Sequence, residues 1–331
     1  MQLPVALRSA IEQELSAVSF SSLIAAAREL SDRYRQQKKT DRFITTNEQR
    51  LAYVAVRMPA TFAAVSKALS QLNEEFSPES LLDLGAGTGS AAWAAAAQFD
   101  SLRRITLVEQ DRGLIELGRR LAEQSETLRT SNWQAANLRT QAEFDSHDLV
   151  VCSYSLGEIE AGAAGKILNA AWRATKQVLV IVEPGTTKGF ATVRSAREQL
   201  IEAGAFLVAP CPHQAACPMP SMGEDETNWC HFAARFDRTS LHRRLKGGSL
   251  GYEDEKFSYI AVAKHPVTTA TARVLRHPLH HPGVIQLQLC TPDGLQTAKI
   301  TKRDKEVWKR ARKVDWGDGF YRIASPEGEF P

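Results

Sequence analysis

The chain has 331 residues, 43% of them hydrophobic and 24% charged, with a net charge of +3 and no low-complexity tract or tandem repeat. That length suits two domains, or one large domain with an appendage. The composition excludes a disordered or fibrous protein, and no apolar run reaches the ~18 residues of a transmembrane helix.

The first 75 residues read as a helical cap. Val5, Leu7, Ile11 and Leu15, then Leu23, Ile24, Ala27 and Leu30, recur at helical spacing. "KKTDRFITTN" interrupts the pattern, and "EQRLAYVAVRMPATFAAVSKALSQL" resumes it, with Pro59 set to end one helix and start the next. Glu12 and Glu14 inside the first apolar pattern do not suit a signal peptide, and an Arg-rich, acid-poor transit peptide fits poorly. The expectation is a cytosolic, bacterial-type protein with reduced thiols and no membrane contact.

Strand and helix alternate from "SLLDLGAGTGSAAWAAAAQF" onward, through "RRITLVEQD", "HDLVVCSYSLGEI", "QVLVIVEPG" and the late strand "FSYIAVAKH". Such alternation predicts a parallel, doubly wound sheet over residues 76–265. Past Pro266 the texture becomes short strands and turns, as in "GVIQLQLCTPDGLQTAKIT", so residues 266–331 are expected to form a β-rich module. The fold class is α/β: a Rossmann-like sheet with a helical cap, a Cys-rich insertion at 210–238 and a small C-terminal module.

Gly85, Gly87 and Gly89 lie between the first strand and its helix, with Ala86 among them and Asp83 ahead. Glycine permits the tight turn and close approach of a ligand to the helix N-terminus. The G-x-G-x-G spacing after an acid resembles the class I S-adenosylmethionine (SAM) methyltransferase motif. In that pattern Glu109, which closes the next strand 20 residues past Gly89, accepts the ribose hydroxyls, and Asn137 or a neighbour flanks the adenine. No catalytic residue is legible. The Asn/Asp-Pro-Pro-aromatic turn of amino-methylating enzymes is absent, its place taken by Ser153, Tyr154 and Glu158, and Glu158 reads as a solvated helix-start residue. Cys152, inside a strand, reads as a small buried hydrophobe.

Cys211, Cys217 and Cys230 follow a C-x5-C-x12-C spacing, with Cys290 far downstream. Four thiolates can close a site for zinc or an iron–sulfur cluster, but the paired knuckles of a zinc ribbon are missing. Spacing alone leaves a metal site and incidental buried thiols both open, with His213 and His231 as neighbours rather than ligands.

From Lys264 to the end, twelve Lys/Arg stand against seven Asp/Glu, which is +5 and leaves −2 for the rest. The surplus is densest in Lys299, Lys302, Arg303, Lys305, Lys309, Arg310, Arg312 and Lys313. Clustered basic residues suit a phosphate backbone, and a solvated helix face is the plainer alternative.

"RMPATFAAV", "DLGAGTGSAAWAA", "SYSLGEI", "EPGTTKGF", "CPHQAACP", "WCHFAAR" and "LCTPDG" together resemble the methyltransferase-like proteins of the mitochondrial small ribosomal subunit, a family with bacterial and mitochondrial members. The resemblance covers roughly residues 40–315, and few other SAM-fold proteins carry the cysteine elements. It implies association with the small ribosomal subunit or its RNA rather than with DNA. It also implies a [4Fe–4S] cluster on Cys211, Cys217, Cys230 and Cys290. The expected activity is SAM-dependent methylation of ribosomal RNA. A non-catalytic assembly factor, or a methyltransferase of another substrate with structural zinc, are the alternatives.

Overall fold

The computed structural model describes residues 1–35, 44–141, 143–220 and 227–321. Most of the predicted interruption "KKTDRFITTN" lies outside them. Four helices open the chain: α1 (Val5–Ser16), α2 (Phe20–Arg35), α3 (Asn47–Val56) and α4 (Met58–Leu69). Thr46 starts α3 with a capping box, its hydroxyl accepting the Gln49 amide at 3.2 Å while the Gln49 side chain reaches back to Thr46. Pro59 falls in the first turn of α4, where its missing N–H breaks no helical bond. Ten of the twelve α4 residues are buried, because the helix lies against α5 and the sheet rather than at the surface.

The alternating region follows as β1 (Ser80–Leu84), α5 (Ser90–Gln98), β2 (Arg104–Glu109), α6 (Arg112–Ala122), β3 (Asn132–Ala135), β4 (His147–Ser153), α7 (Ala161–Ala174), β5 (Thr175–Pro184) and α8 (Thr187–Glu202). It closes with β6 (Phe206–Ala209), β7 (Phe232–Asp237), α9 (Ser240–Lys246) and β8 (Tyr252–Ala263). The sheet order is β3-β2-β1-β4-β5-β8-β6, with β7 also on β8. The first five strands are parallel, as the alternation predicts, but β6, β7 and β8 pair antiparallel. The sheet is therefore mixed. This strand order, with an antiparallel strand between the fifth and sixth, is the arrangement of the class I methyltransferase fold.

Side chains alternate across the strands into two cores. Leu81, Val151, Val180 and Ala261 face α1, α3 and α4 in one cluster, together with Leu7, Leu51 and Met58. Leu82, Leu84, Val150, Cys152 and Ile181 face α7 and α8 in the other. Cys152 is wholly buried there, and burial pushes its thiol far up, so it behaves as the hydrophobe expected.

A second sheet is built from β9 (Ala272–Val274), β10 (Leu279–His281), β11 (Val284–Thr291), β12 (Gly294–Thr301) and β13 (Gly319–Phe320), with α10 (Lys305–Ala311) packed on it. β11 and β12 form the hairpin foreseen at "PDG", with Gly294 at φ +107°.

Arg273 of β9, 4% exposed, ties this sheet to the rest of the chain. It donates to Pro210 O (2.7 Å), Gln71 Oε1 (2.6 Å) and Gly317 O (2.9 Å). Arg273→Met keeps most of the volume but strands these acceptors. An unfolding titration in urea should show a loss of about 2–5 kcal/mol; a change within error would mean that the clamp contributes nothing.

Candidate functional site

At the C-terminal end of β1 the chain turns through Gly85, Gly87 and Gly89, at φ +77°, +56° and +88°. All three angles lie in the left-handed region that glycine adopts without strain. The Gly85 and Ala86 amides both donate to Val108 O, at 2.9 and 3.0 Å, which pins the turn to β2. A Cβ on Gly85 would stand 2.6 Å from the Ser155 Cβ, so the turn tolerates no side chain there.

Glu109, closing β2, accepts the Gly87 amide at 3.0 Å through one oxygen and the Gln110 and Asp111 amides at 2.8 and 2.9 Å through the other. Burial outweighs these donors and raises its pKa. Each carboxylate oxygen can take further donors, so the group is tied to the turn and still able to accept a diol. Asp83 is fully buried beneath the turn, and neither of its oxygens has a hydrogen-bond partner among the described residues. Burial pushes it up to about 7; the Ala92 amide opposes the shift at longer range and Glu109 adds to it. An orphaned carboxyl beside a glycine turn fits a ligand carrying an amino group, as SAM does.

Asn137 stands exposed after β3, and its Oδ1 accepts the Arg139 amide at 2.9 Å, so it caps its own turn. Its neighbour Leu138 is the residue that reaches the glycine turn, with Cδ1 3.6 Å from a Cβ built on Gly85. Tyr53 of α3 also reaches it, its hydroxyl 3.4 Å from a Cβ built on Gly87. Arg50 of α3 grips Asp111 through two bonds of 3.0 and 3.1 Å. Sequence reasoning missed Tyr53, Leu138 and Arg50, since nothing in their local pattern separates them from ordinary helix or turn residues.

The turn after β4 is held from three sides. Tyr154 has φ +54°, unusual for a residue with a side chain. Its hydroxyl donates to Glu255 Oε1 at 2.9 Å, and burial drives its pKa well up. Ser155 donates to Leu84 O at 3.2 Å. Glu183, 1% exposed at the end of β5, accepts the Leu156 and Gly157 amides at 2.9 and 3.2 Å; burial raises it to about 7. Ser153 is buried at the strand end. Glu158 is exposed, yet desolvation of its carboxyl and the charge of Glu109 raise its pKa, while Arg57, Lys188 and Arg139 oppose.

The cysteine segment leaves the sheet edge between β6 and β7. Ala209 pairs with Ala261 of β8 and Phe232 with Phe257, so the chain leaves the sheet at Pro210 and rejoins it after His231 across a gap of three β8 residues, Ser258 to Ile260. Ser258 Oγ donates to Cys230 O at 2.8 Å inside that gap. Cys211 follows β6, Cys230 precedes β7, and Cys290 comes from β11 of the other sheet. The last part of the predicted insertion is thus the strand β7. All five cysteines are free thiols.

Cys211, Cys217, Cys230 and Cys290 are close enough to feel one another's charge. Burial raises Cys230 strongly, and the other three add to the shift. Burial raises Cys290 to about 12, with Cys211 and Cys217 adding and Arg197 and Arg273 opposing. His213 Nε2 is 3.7 Å from Cys290 Sγ. His231 is stacked on Trp229 and edge-on to Trp316, at centroid distances of 4.7 and 5.1 Å. Among the described residues no three His, Cys, Asp or Glu side chains come together as they would around a single metal ion.

Guanidiniums hold the loop's carbonyls. Arg197 donates to His213 O (3.0 Å) and Ala215 O (2.6 Å), Arg194 to Met219 O (3.0 Å), and Arg276 to Trp229 O (3.2 Å). Arg197 is 3% exposed and its Nε has no hydrogen-bond partner among the described residues, while its charge opposes the rise of the Cys211 thiol. A buried cationic donor among four thiols fits an anionic, thiolate-bound group.

The eight basic residues do not form one stripe. Lys299 lies on β12, Lys302 and Arg303 in the next turn, Lys305, Lys309 and Arg310 on α10, and Arg312 and Lys313 beyond it, all exposed. Lys309 pairs with Glu306 at 2.8 Å, and Arg310 donates to Tyr321 O at 3.0 Å. Ile285, Leu287 and Ile300 pack with Trp308 and Ala311 on the helix side of the sheet, whereas Lys299, one residue from Ile300, points to the other face.

The chain is 30% identical to the human "Ribosome assembly protein METTL17, mitochondrial" over 298 residues, 81% of this chain and 61% of that protein. It is 25% identical to Schizosaccharomyces pombe "Rsm22-cox11 tandem protein 2, mitochondrial" over 83% of this chain and 43% of that protein. It therefore spans less than two thirds of these relatives. Among solved structures, it resembles the N-methyltransferase NodS from Bradyrhizobium japonicum (TM-score 0.42, 11% identity, 73% of this chain and 97% of that one). It also resembles the magnesium protoporphyrin IX methyltransferase of Synechocystis (TM-score 0.41, 10% identity, 71% and 93%). The mitochondrial names of the curated relatives overturn the expectation of a bacterial-type cytosolic protein, which rested on the character of the first residues. Among the described residues, no helix is long and apolar enough to cross a membrane. Residues 47–321 match the family described as "Mitochondrial small ribosomal subunit Rsm22", and the chain belongs to that family.

Proposed function

We propose that this chain assists assembly of the small ribosomal subunit, with a class I methyltransferase fold that binds SAM and a four-cysteine pocket that holds an iron–sulfur cluster. The observation that carries the reading is the family match over residues 47–321, joined by a relative named as a ribosome assembly protein. Asp83, Glu109 and the turn Gly85–Gly89 would hold SAM, which supplies an electrophilic methyl group when bound. Asp83 would meet its amino group, Glu109 its ribose, and Leu138 rather than the side chain of Asn137 one face of its adenine. The positive φ of the three glycines and the orphaned Asp83 support this assignment.

Methyl transfer to ribosomal RNA is the finer reading, and assembly without chemistry is the second. The turn after β4 favours the second. Tyr154 is bound to Glu255, and the amides of Leu156 and Gly157 to Glu183, so the groups that would receive a base are already engaged.

For the metal, Cys211, Cys217, Cys230 and Cys290 would be the ligands. A tetrahedral zinc with bonds of about 2.3 Å requires sulfurs roughly 3.8 Å apart. The mutual electrostatic reach of the four thiols supports a shared ligand, and the family resemblance favours the cluster over zinc. The segment has little core of its own, and ligation would supply its folding free energy. Lys302, Arg303, Lys305, Arg312 and Lys313, exposed and without ion-pair partners among the described residues, would face RNA phosphates.

Three measurements test these assignments. Labelled methyl transfer from SAM to purified small subunits should be absent from the wild type if the protein only assists assembly, while calorimetry detects SAM binding that Gly87→Arg abolishes. Transfer that disappears in Gly87→Arg would establish the enzyme instead, and no SAM binding would remove the cofactor assignment. Asp83 is protonated in the folded protein up to about pH 7 but ionises near 3.9 when unfolded, so its contribution to stability is lost as pH rises through 7. Asp83→Asn should therefore raise Tm more at pH 8 than at pH 5 while weakening SAM binding; equal shifts at both would show that the carboxyl is not buried unpaired. Anaerobically purified protein should contain about four irons and four sulfides per chain, and Cys290→Ser should lose most of them. Colourless protein with stoichiometric zinc would overturn the cluster.

A further inference from the structure

The face of the second sheet turned away from α10 carries a cavity that neither the glycine turn nor the four thiols use. It encloses about 220 Å³, less than the ~300–1,000 Å³ of sites for drug-sized ligands. Its floor is apolar, formed by Met219 and Leu275, each 5% exposed. Asn228, Arg276, Gln288 and Thr297 stand around that floor.

These polar groups converge and are largely unused. Gln288 pairs with Thr297 across β11 and β12, so the two side chains rise side by side from one face. Neither makes a side-chain hydrogen bond among the described residues, and the Asn228 amide uses only its oxygen, which accepts Arg276 at 2.7 Å. Arg276 commits three of its five N–H donors, to Leu275 O, Asn228 Oδ1 and Trp229 O, and leaves two. Burial lowers its pKa, so a partner for those donors would be welcome.

The chemistry of the walls is that of an edge reader. Side-chain amides offer a donor and an acceptor together, and arginine offers donors, which are the groups that read the edges of nucleobases. An apolar floor of this size takes a planar ring. The approach is cationic: Lys299 lies two residues along the same strand face as Thr297, and Lys302 and Arg303 follow it. Bases in an A-form duplex are stacked and closed, so only an unpaired base can enter such a recess.

We infer that this cavity binds one unpaired base of a single-stranded RNA segment, whose phosphates run over Lys299 and the Lys302–Arg303 turn. The inference rests on the RNA-facing reading above and specifies where that RNA is read.

The test uses the full chain, purified anaerobically, and the anisotropy of labelled oligoadenylate, oligouridylate and an abasic oligomer of equal length. Gln288→Ala/Thr297→Ala removes the wall groups, and Leu295→Trp fills the recess. Leu295 is 41% exposed and Gln288 and Thr297 are also exposed, so folding is not at stake. Lys302→Glu/Arg303→Glu removes the charge. At least one base-bearing oligomer should bind about tenfold more tightly than the abasic one, and both cavity variants should erase that factor without changing the salt slope. The charge variant should weaken all oligomers and flatten the slope. Equal binding of abasic and base-bearing oligomers, or cavity variants indistinguishable from wild type, would overturn the cavity assignment while salt-dependent binding kept the RNA reading. Mononucleotide bound as tightly as the oligomer would make the occupant a free nucleotide and overturn the inference. No RNA binding at all would overturn both.

Discussion

Strand β8 is the constraint on which the rest of the molecule depends. One edge pairs with β5 over seven residues, Phe257 to Ala263, and extends the parallel sheet by an antiparallel strand. The other edge is shared by two short strands, β6 at one end and β7 at the other. A continuous edge strand would have buried this border. Instead the chain leaves after Ala209 and returns at Phe232, and the cysteine segment emerges through that gap. Because β6 and β7 run the same way along one edge, the two ends of the excursion are held opposite Ala261 and Phe257, roughly 13 Å apart along β8. This fixes Cys211 and Cys230 as a pair, facing the second sheet, which supplies Cys290.

A polar loop with four prolines cannot hold a shape by hydrophobic burial alone. Here its carbonyls are fixed by guanidiniums from both sides, Arg194 and Arg197 from α8 and Arg273 and Arg276 from the second sheet. Each buried arginine carries a desolvation cost that its acceptors offset. Removing Arg273 therefore leaves carbonyls unpaired in the loop and in the second sheet at once. The same charges oppose the rise of the Cys211 and Cys290 thiols, so the groups that shape the loop also favour thiolate within it.

The glycine turn and the thiol pocket are neighbours through the turn after β5. Glu183 binds the turn that carries Ser155, which abuts Gly85. Two residues on, Gly185 O accepts Trp229 Nε1 at 3.0 Å, next to Cys230. The recess on the second sheet lies just beyond, since Leu295 faces Cys290 across the β11–β12 ladder. Glycine turn, thiols and recess are thus joined by a chain of contacts through Glu183, Gly185 and Trp229.

What the sequence determined by itself was local. The three glycines, the acids at Asp83 and Glu109, the helical cap and the hairpin at "PDG" were legible, because turn chemistry and side-chain period are written in adjacent residues. Alternation misread the direction of β8, which runs against β5 on one edge and against β6 and β7 on the other, since a strand of period two looks the same whichever way it pairs. Tyr53 and Leu138 reach the glycine turn, and Arg50 reaches Asp111, only through packing, and nothing nearby in the chain announces them. The basic residues looked like one strip because they are consecutive. The sheet puts Lys299 on one face and α10 on the other, as alternation along β12 requires. The tertiary structure alone decided which groups meet, because strand pairing across β8 and the buried Arg273 join residues far apart in the chain, Arg273 and Pro210 across 63 positions.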